Sequence, residues 1–312
     1  MTNHRRVPTL SLVDYTSEAH KEQFIQALYE SIADYGFVVI KNHGISPEVI
    51  QQAYQLSKIL FDLPEKTKMN YEGESGQRGY IAFGKETAKG HNIPDLKEYW
   101  HIGPEIESGT EYHNDYPNNL WPEELPEFKT FFCQLHDALN NVAKQILAAL
   151  GAAMDLEPGY FEDMITNGNS VQRLIHYPAL GQADTQSAMR AAAHVDINLI
   201  TLLIGATDSG LELQDRDGSW LPVHNQEGEI VIDTGDMMAR LTNNKLPATM
   251  HRVVNPKDTS RARYSIPFFV HPKNNVMLTS QPQFGEAKLP AISAGDFLRE
   301  RLEENGFNNK SK

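Results

Sequence analysis

His194-Val195-Asp196-Ile197-Asn198-Leu199-Ile200-Thr201-Leu202-Leu203-Ile204 decides how the rest of this chain is read. From Ile197 onward it is an apolar, β-prone run of the length expected for a buried strand. Residues two apart in an extended strand project from one face, so His194 and Asp196 can grip one ion together. A carboxylate opening such a strand needs a partner, because burying it alone is costly. His-x-Asp by itself is a weak signal. His113-Asn114-Asp115 has the same form but lies among turn formers, with Tyr116-Pro117-Asn118-Asn119 behind it, and is read as a loop.

His251 changes the weight of the first motif. Met250-His251-Arg252-Val253-Val254 reads as a short strand ended by the turn at Asn255-Pro256. Two imidazoles and one carboxylate form a facial set that leaves about three coordination positions open, the arrangement of non-haem Fe(II) oxygenases. Twelve residues after His251 comes Arg263-Tyr264-Ser265, continued by the apolar Ile266-Pro267-Phe268-Phe269-Val270. Arg263 and Ser265 share a face, and a guanidinium fork beside a hydroxyl suits a carboxylate. Arg261 lies one pleat earlier on that face and competes for the role.

His194-x-Asp196, His251 and Arg263-x-Ser265, with Tyr177-Pro178 upstream, resemble the isopenicillin N synthase-like family of Fe(II)/2-oxoglutarate-dependent dioxygenases. Gly36-Phe37-Val38-Val39-Ile40-Lys41-Asn42-His43-Gly44-Ile45, Arg78-Gly79-Tyr80, Lys97-Glu98-Tyr99-Trp100 and Trp121-Pro122 extend the resemblance over nearly the whole chain. It implies a double-stranded β-helix, the cupin-like jelly roll, with helices flanking a β core. It also implies Fe(II) on His194, Asp196 and His251, and 2-oxoglutarate on that iron. The distal carboxylate of 2-oxoglutarate would lie on Arg263 and Ser265, with the Tyr177 hydroxyl beside it. The implied reaction uses O2 to oxidise a small-molecule substrate, with release of succinate and CO2. Hydroxylation is the default outcome, with desaturation and cyclisation as variants, and no catalytic side chain is implied beyond the metal ligands.

The composition agrees with a globular enzyme. The 312 residues are 40% apolar and carry a net charge of −13, with no basic block, which argues against nucleic acid and anionic membranes as partners. The single cysteine, Cys133, excludes an intramolecular disulfide framework. The start lacks the apolar stretch of a signal peptide and no run reaches membrane-spanning length, so a cytoplasmic location is expected. Nothing in the sequence speaks to oligomeric state.

Along the chain, residues 1–165 read as a mixed, mainly helical region, 166–285 as the β-helix core and 286–312 as a C-terminal helix packed on it, all one cooperative unit. Helices are expected over Ser17–Tyr35, stopped by Gly36, from Ser46-Pro47 to about Leu63, over Pro126–Leu150 and over Ser293–Asn305. Tyr71–Gly90 reads as irregular. Strands are expected at Phe37–Lys41, Ser170–Tyr177, Ile197–Ile204, Leu211–Gln214, Trp220–Val223, Glu229–Ile232, His251–Val254 and Tyr264–Val270, with Asp217-Gly218 as a hairpin turn.

For the substrate, the resemblance points to Arg78, Tyr80 and Phe83 in the irregular stretch. Tyr99, His101 and Asn198 are further candidates, Asn198 because it shares the His194/Asp196 face. Arg78 near an opening would select an acidic substrate. Two alternatives stay open. One is an isopenicillin N synthase-type Fe(II) oxidase that does without 2-oxoglutarate, which the arginine–serine pair does not separate. Ile175-His176-Tyr177-Pro178 also departs from the Asn-Tyr-Tyr-Pro form common in plant ketoacid-dependent members. The other is a zinc hydrolase or binding barrel, disfavoured because no glutamate adjoins the ligands as a general base.

Overall fold

The computed structural model of the protein describes residues 5–73, 76–85, 95–110, 112, 114–179, 189–207, 209–255 and 260–304. Strands β1 (Thr9–Ser11), β2 (Phe37–Lys41), β3 (Gly79–Ile81), β4 (Glu98–Ile102) and β5 (Val171–Tyr177) precede the metal motif. After them come β6 (Ala191–His194), β7 (Ile200–Ile204), β8 (Leu211–Gln214), β9 (Trp220–Pro222), β10 (Ile230–Thr234), β11 (His251–Val253) and β12 (Arg263–Val270). The helices are α1 (Lys21–Tyr35), α2 (Pro47–Asp62), α3 (Glu65–Met69), α4 (Phe128–Ala153), α5 (Tyr160–Ile165), α6 (Asp236–Leu241) and α7 (Ala294–Glu304).

Eight strands form one sheet in the order β1-β2-β10-β7-β12-β5-β4-β3, antiparallel apart from the β1–β2 pair. A smaller antiparallel sheet, β6-β11-β8-β9, faces it. The two meet through Phe37, Val39 and Val231 from the large sheet and Leu213 and Val223 from the small one. Two antiparallel sheets packed face to face in this way are the double-sheet, jelly-roll arrangement.

Strand β2, Phe-Val-Val-Ile, is apolar at four successive positions because both of its faces are covered. Phe37 and Val39 face the small sheet, while Val38 and Ile40 join the helical side. On that side α4 presents Phe128, Phe132, Leu135, Leu139 and Val142, three or four apart and buried, so one helical stripe meets the sheet. Phe268, fully buried, is a central contact there. Its truncation to alanine should cost about 3–5 kcal/mol.

The helix signals hold with small shifts. Gly36 ends α1 in the left-handed region at φ 69, and a Cβ there would collide with Thr249 Oγ1. Ser46 caps α2 by accepting from the Val49 amide, with Pro47 in the first turn. Asp217-Gly218 lies in the β8–β9 hairpin turn, with Gly218 at φ 83.

Two expectations need correction. Tyr71–Gly90 is not wholly irregular, since Gly79–Ile81 pairs with β4 at the sheet edge; residues 86–90 lie outside the described residues. The expected strand over Ile197–Ile204 begins only at Ile200, and the unexpected β6 ends at His194. The reason is topological: β6 belongs to the small sheet and β7 to the large one, so the chain must turn between them. Among the described residues no helix is long and apolar enough to cross a membrane.

Candidate metal centre and active site

His194 closes β6, and Asp196 follows in the turn rather than on a shared strand face. His251 opens β11 and is the direct register partner of His194. One donor atom from each of His194, Asp196 and His251 lies within 4.8 Å of the others. Both imidazoles are oriented from behind by main-chain carbonyls: His194 Nδ1 donates to Ala192 O at 2.8 Å and His251 Nδ1 to Thr249 O at 3.1 Å. That leaves each Nε2 as a lone pair, and each stands 3.7 Å from Asp196 Oδ1. Carbonyl-oriented histidines with converging Nε2 atoms are what a divalent transition metal requires. The donor set therefore fits ferrous iron.

The turn holding Asp196 is tied down by the entry to α6. Gly235, Asp236 and Met237 donate backbone hydrogen bonds to the carbonyls of Leu199, Asp196 and Ile197 at 3.1, 2.8 and 3.1 Å. A Cβ at Gly235 would collide with Asn198 O, so the approach needs glycine. The Thr201 hydroxyl donates to Asp196 Oδ2. Burial would raise the Asp196 carboxyl, but His251, His194 and Thr201 outweigh it and hold it below the ordinary range. Asp233, opposite Thr201 in the β10–β7 ladder, is pushed well above the ordinary carboxyl value by burial and by Asp196. Burial, then His251, lowers His194 to about 4 and keeps it neutral for ligation.

Arg263 and Tyr177 are register partners across β12 and β5, with the guanidinium 5.0 Å from the ring centre. Arg263 is 1% exposed and donates to Ser265 Oγ at 3.3 Å. Arg261, the competitor, is exposed, and its carbonyl accepts from Arg190. The arginine–hydroxyl–tyrosine cluster is thus one buried patch, on the sheet face that by strand alternation also carries the cavity-lining Arg173 and Phe269.

Residues 168–272 match the 2OG-Fe(II) oxygenase superfamily, and residues 7–124 match the N-terminal family described as non-haem dioxygenase in morphine synthesis. A 2-oxoglutarate-Fe(II) type oxidoreductase of Metarhizium rileyi, ppzD, is 31% identical over 96% of this chain and 92% of its own. The chain belongs to the 2-oxoglutarate- and Fe(II)-dependent oxygenases. A solved 2OG-Fe(II) oxygenase family protein from Caulobacter crescentus is 40% identical, with TM-score 0.87 over 96% of this chain and 98% of that one. A full-length Neurospora crassa protein, solved in complex with alpha-KG and thymine, is 27% identical, with TM-score 0.86 over 97% and 98% of the two chains. The oxygenase accordingly uses Fe(II), 2-oxoglutarate and O2, and its core is the expected jelly roll.

A cavity of about 330 Å³ in the oxygenase is bordered by two of the candidate ligands, His194 and Asp196. Of the six substrate candidates, His101 and Asn198 border it. Asn198 is 1% exposed and its amide is spent on Ile200 O at 2.6 Å and Thr201 Oγ1 at 3.1 Å, which makes it a brace for the turn. Tyr99 lies under His101, ring centres 4.9 Å apart, within the buried group of Ile81, Ile175 and Tyr177.

Arg78, Tyr80 and Phe83 do not border the cavity. Arg78 is 1% exposed, donates to Asn169 Oδ1 at 2.6 Å and Gln77 O at 2.8 Å, and packs on Gly103. Burial lowers it to about 10, and it stands off the cavity wall rather than at an opening. Tyr80 points to the opposite face of β3, where its hydroxyl donates to Glu98 at 2.6 Å. Phe83 is exposed in a turn and does not border the cavity. His113 lies outside the described residues.

Arg173, Phe269 and His271 border the cavity and were not singled out from sequence. Alternation offered a signal for Arg173, since Val171, Arg173, Ile175 and Tyr177 share a face of β5. Thr201 and Asp233 had one too: Thr201 is the polar exception in β7 and Asp233 the charged one in β10.

Proposed function

We propose that His194 and His251, through Nε2, and Asp196, through its carboxylate, hold the ferrous ion, and that Arg263, Ser265 and Tyr177 hold the distal carboxylate of 2-oxoglutarate. The observation that carries this reading is the convergence of three donor atoms within 4.8 Å, from residues on two strands and a turn. When bound, the ion and the ketoacid supply the activation of dioxygen, with succinate and CO2 as by-products.

The chain's own residues bind, orient and neutralise. The Ala192 and Thr249 carbonyls fix both imidazole tautomers. Thr201 engages one carboxylate oxygen of Asp196 and leaves the other toward the histidines. Burial and the neighbouring Asp196 disfavour a second negative charge on Asp233 beside the ligand. Arg263 meets a carboxylate by charge-assisted hydrogen bonds in a buried setting, where such pairs are strong. The cavity of about 330 Å³ suits a small-molecule substrate, and hydroxylation at a carbon facing the metal is the expected outcome. The Neurospora crassa relative, solved with alpha-KG and thymine, supports both ketoacid use and a small ring compound as the substrate type.

The test is anaerobic titration of the protein with Fe(II) and 2-oxoglutarate. A metal-to-ligand charge-transfer band is expected, and it should vanish in Asp196→Ala and weaken in Arg263→Ala. A band of wild-type strength and affinity in both variants would refute the assignment.

A further inference from the structure

The strand that carries Arg263 and Ser265 runs on to Phe269, and His271 follows its last residue, Val270. One strand thus leads from the cosubstrate anchor to the wall of the cavity where substrate must sit. His271 is 7% exposed and borders that cavity with Arg173, Phe269 and His101. Its Nδ1 donates to Phe269 O at 3.2 Å, and its main-chain amide to Ser170 Oγ at 3.3 Å. The ring orientation is therefore set, and Nε2 is an acceptor. Among the described residues Nε2 has no hydrogen-bond partner. An unsatisfied buried acceptor is costly, and at a cavity wall a ligand is the natural partner.

Arg173 stands on the same wall, its guanidinium 4.4 Å from the Tyr99 ring centre and 4.9 Å from that of Phe269. Its Nε donates to His101 Nε2 at 2.6 Å, and His101 Nδ1 donates to Gly76 O at 3.0 Å. The wall therefore sets a donor-bearing cation and a neutral acceptor beside the apolar faces of Phe269 and Val171.

We propose that His271 is a substrate-recognising residue that accepts a hydrogen bond from a small neutral ring compound carrying an N–H beside a carbonyl, the edge of a cyclic amide, imide or ureide. The N–H meets His271 Nε2, the carbonyl meets the Arg173 side, and the ring lies against Phe269. Burial lowers His271 to about 4, so it remains an acceptor at neutral pH. A carboxylate, which has only acceptors, would leave Nε2 facing another lone pair. This deepens the oxygenase reading and rests on it for the placement of substrate beside the metal.

The test is calorimetric titration at neutral pH with uracil, 1,3-dimethyluracil and benzoate, on protein loaded anaerobically with Fe(II) and 2-oxoglutarate and again on protein alone. Uracil should bind at least about tenfold more tightly than either of the other two, as expected of a site built to hydrogen-bond its ligand. His271→Phe should erase the preference for uracil over the dimethyl compound. His271→Gln, whose side-chain amide reaches toward the place of Nε2, should restore part of it. Melting temperatures report whether the variants fold, and the glutamine variant keeps the test decisive if the phenylalanine variant does not. Equal binding of the two uracils, preference for benzoate, no binding of uracil, or discrimination that survives in His271→Phe each overturns the proposal. Failure of the charge-transfer band would instead count against the metal and cosubstrate assignment, while titration of the protein alone still scores His271.

Discussion

His194 and His251 face each other directly across the β6–β11 ladder, with ring centres 4.4 Å apart. Backbone pairing of two strands distant in sequence thus sets the spacing of two candidate ligands. The third, Asp196, reaches the same point because α6 holds its turn.

Removing the hydroxyl that orients Asp196 should loosen iron without deleting a ligand. Thr201→Val is expected to weaken Fe(II) binding about 10–100-fold, the usual scale for such supporting contacts. Anaerobic Fe(II) titration measures it, and unchanged affinity would remove Thr201 from the site.

Arg263→Ala should cost about 2–5 kcal/mol in 2-oxoglutarate binding, the scale for breaking a buried charge pair. Tyr177→Phe, which removes one hydroxyl, should cost about 1 kcal/mol. Both are read from the ketoacid dependence of the charge-transfer band. A larger loss for Tyr177→Phe than for Arg263→Ala would reverse their roles.

Gly235→Ala forces a Cβ against Asn198 O in the present backbone. The Asp196 turn must shift, so stability should fall by about 1–3 kcal/mol and Fe(II) affinity should fall with it. Denaturant melts and iron titration of the same preparation test the coupling. Loss of stability with unaltered iron affinity would show that the turn yields elsewhere.

Glu98 accepts from Lys68 Nζ at 2.7 Å, Tyr80 at 2.6 Å and His176 Nδ1 at 2.8 Å, away from the cavity. Burial alone would raise its carboxyl; His176, Lys68 and Tyr80 together bring it below the ordinary value. Its folded-state pKa is therefore depressed. The stabilisation is complete above about pH 4.3, the unfolded value, and is lost as pH falls through the folded value. Glu98→Gln, which leaves Lys68 buried without its carboxylate, should cost about 3–5 kcal/mol near neutrality. The gap between variant and wild type in thermal melts should narrow toward about pH 3, below the unfolded value; a gap that widens there would contradict the assignment.

The candidate donors were legible because polar residues next to apolar, β-prone runs are conspicuous. In the sequence each of His194, Asp196, His251, Arg263 and Ser265 stands beside or within such a run, and His194 and Asp196 line the cavity. The substrate wall was not legible to the same degree. Tyr80 lies on the edge strand β3 and Tyr99 on its neighbour β4, yet Tyr99 joins the group beside Tyr177 and Tyr80 turns to Glu98, because their pleats point to opposite faces. Arg78 reads as a loop residue until Gly103 is seen to leave room for its guanidinium. Ligand types, strand alternation and helix ends follow from local chemistry, which adjacent residues express on their own. Which side chains share the cavity depended on register between distant strands and on the crossing from small sheet to large between His194 and Ile200. Those are properties of pairing, and a one-residue shift would exchange every inward side chain for its neighbour.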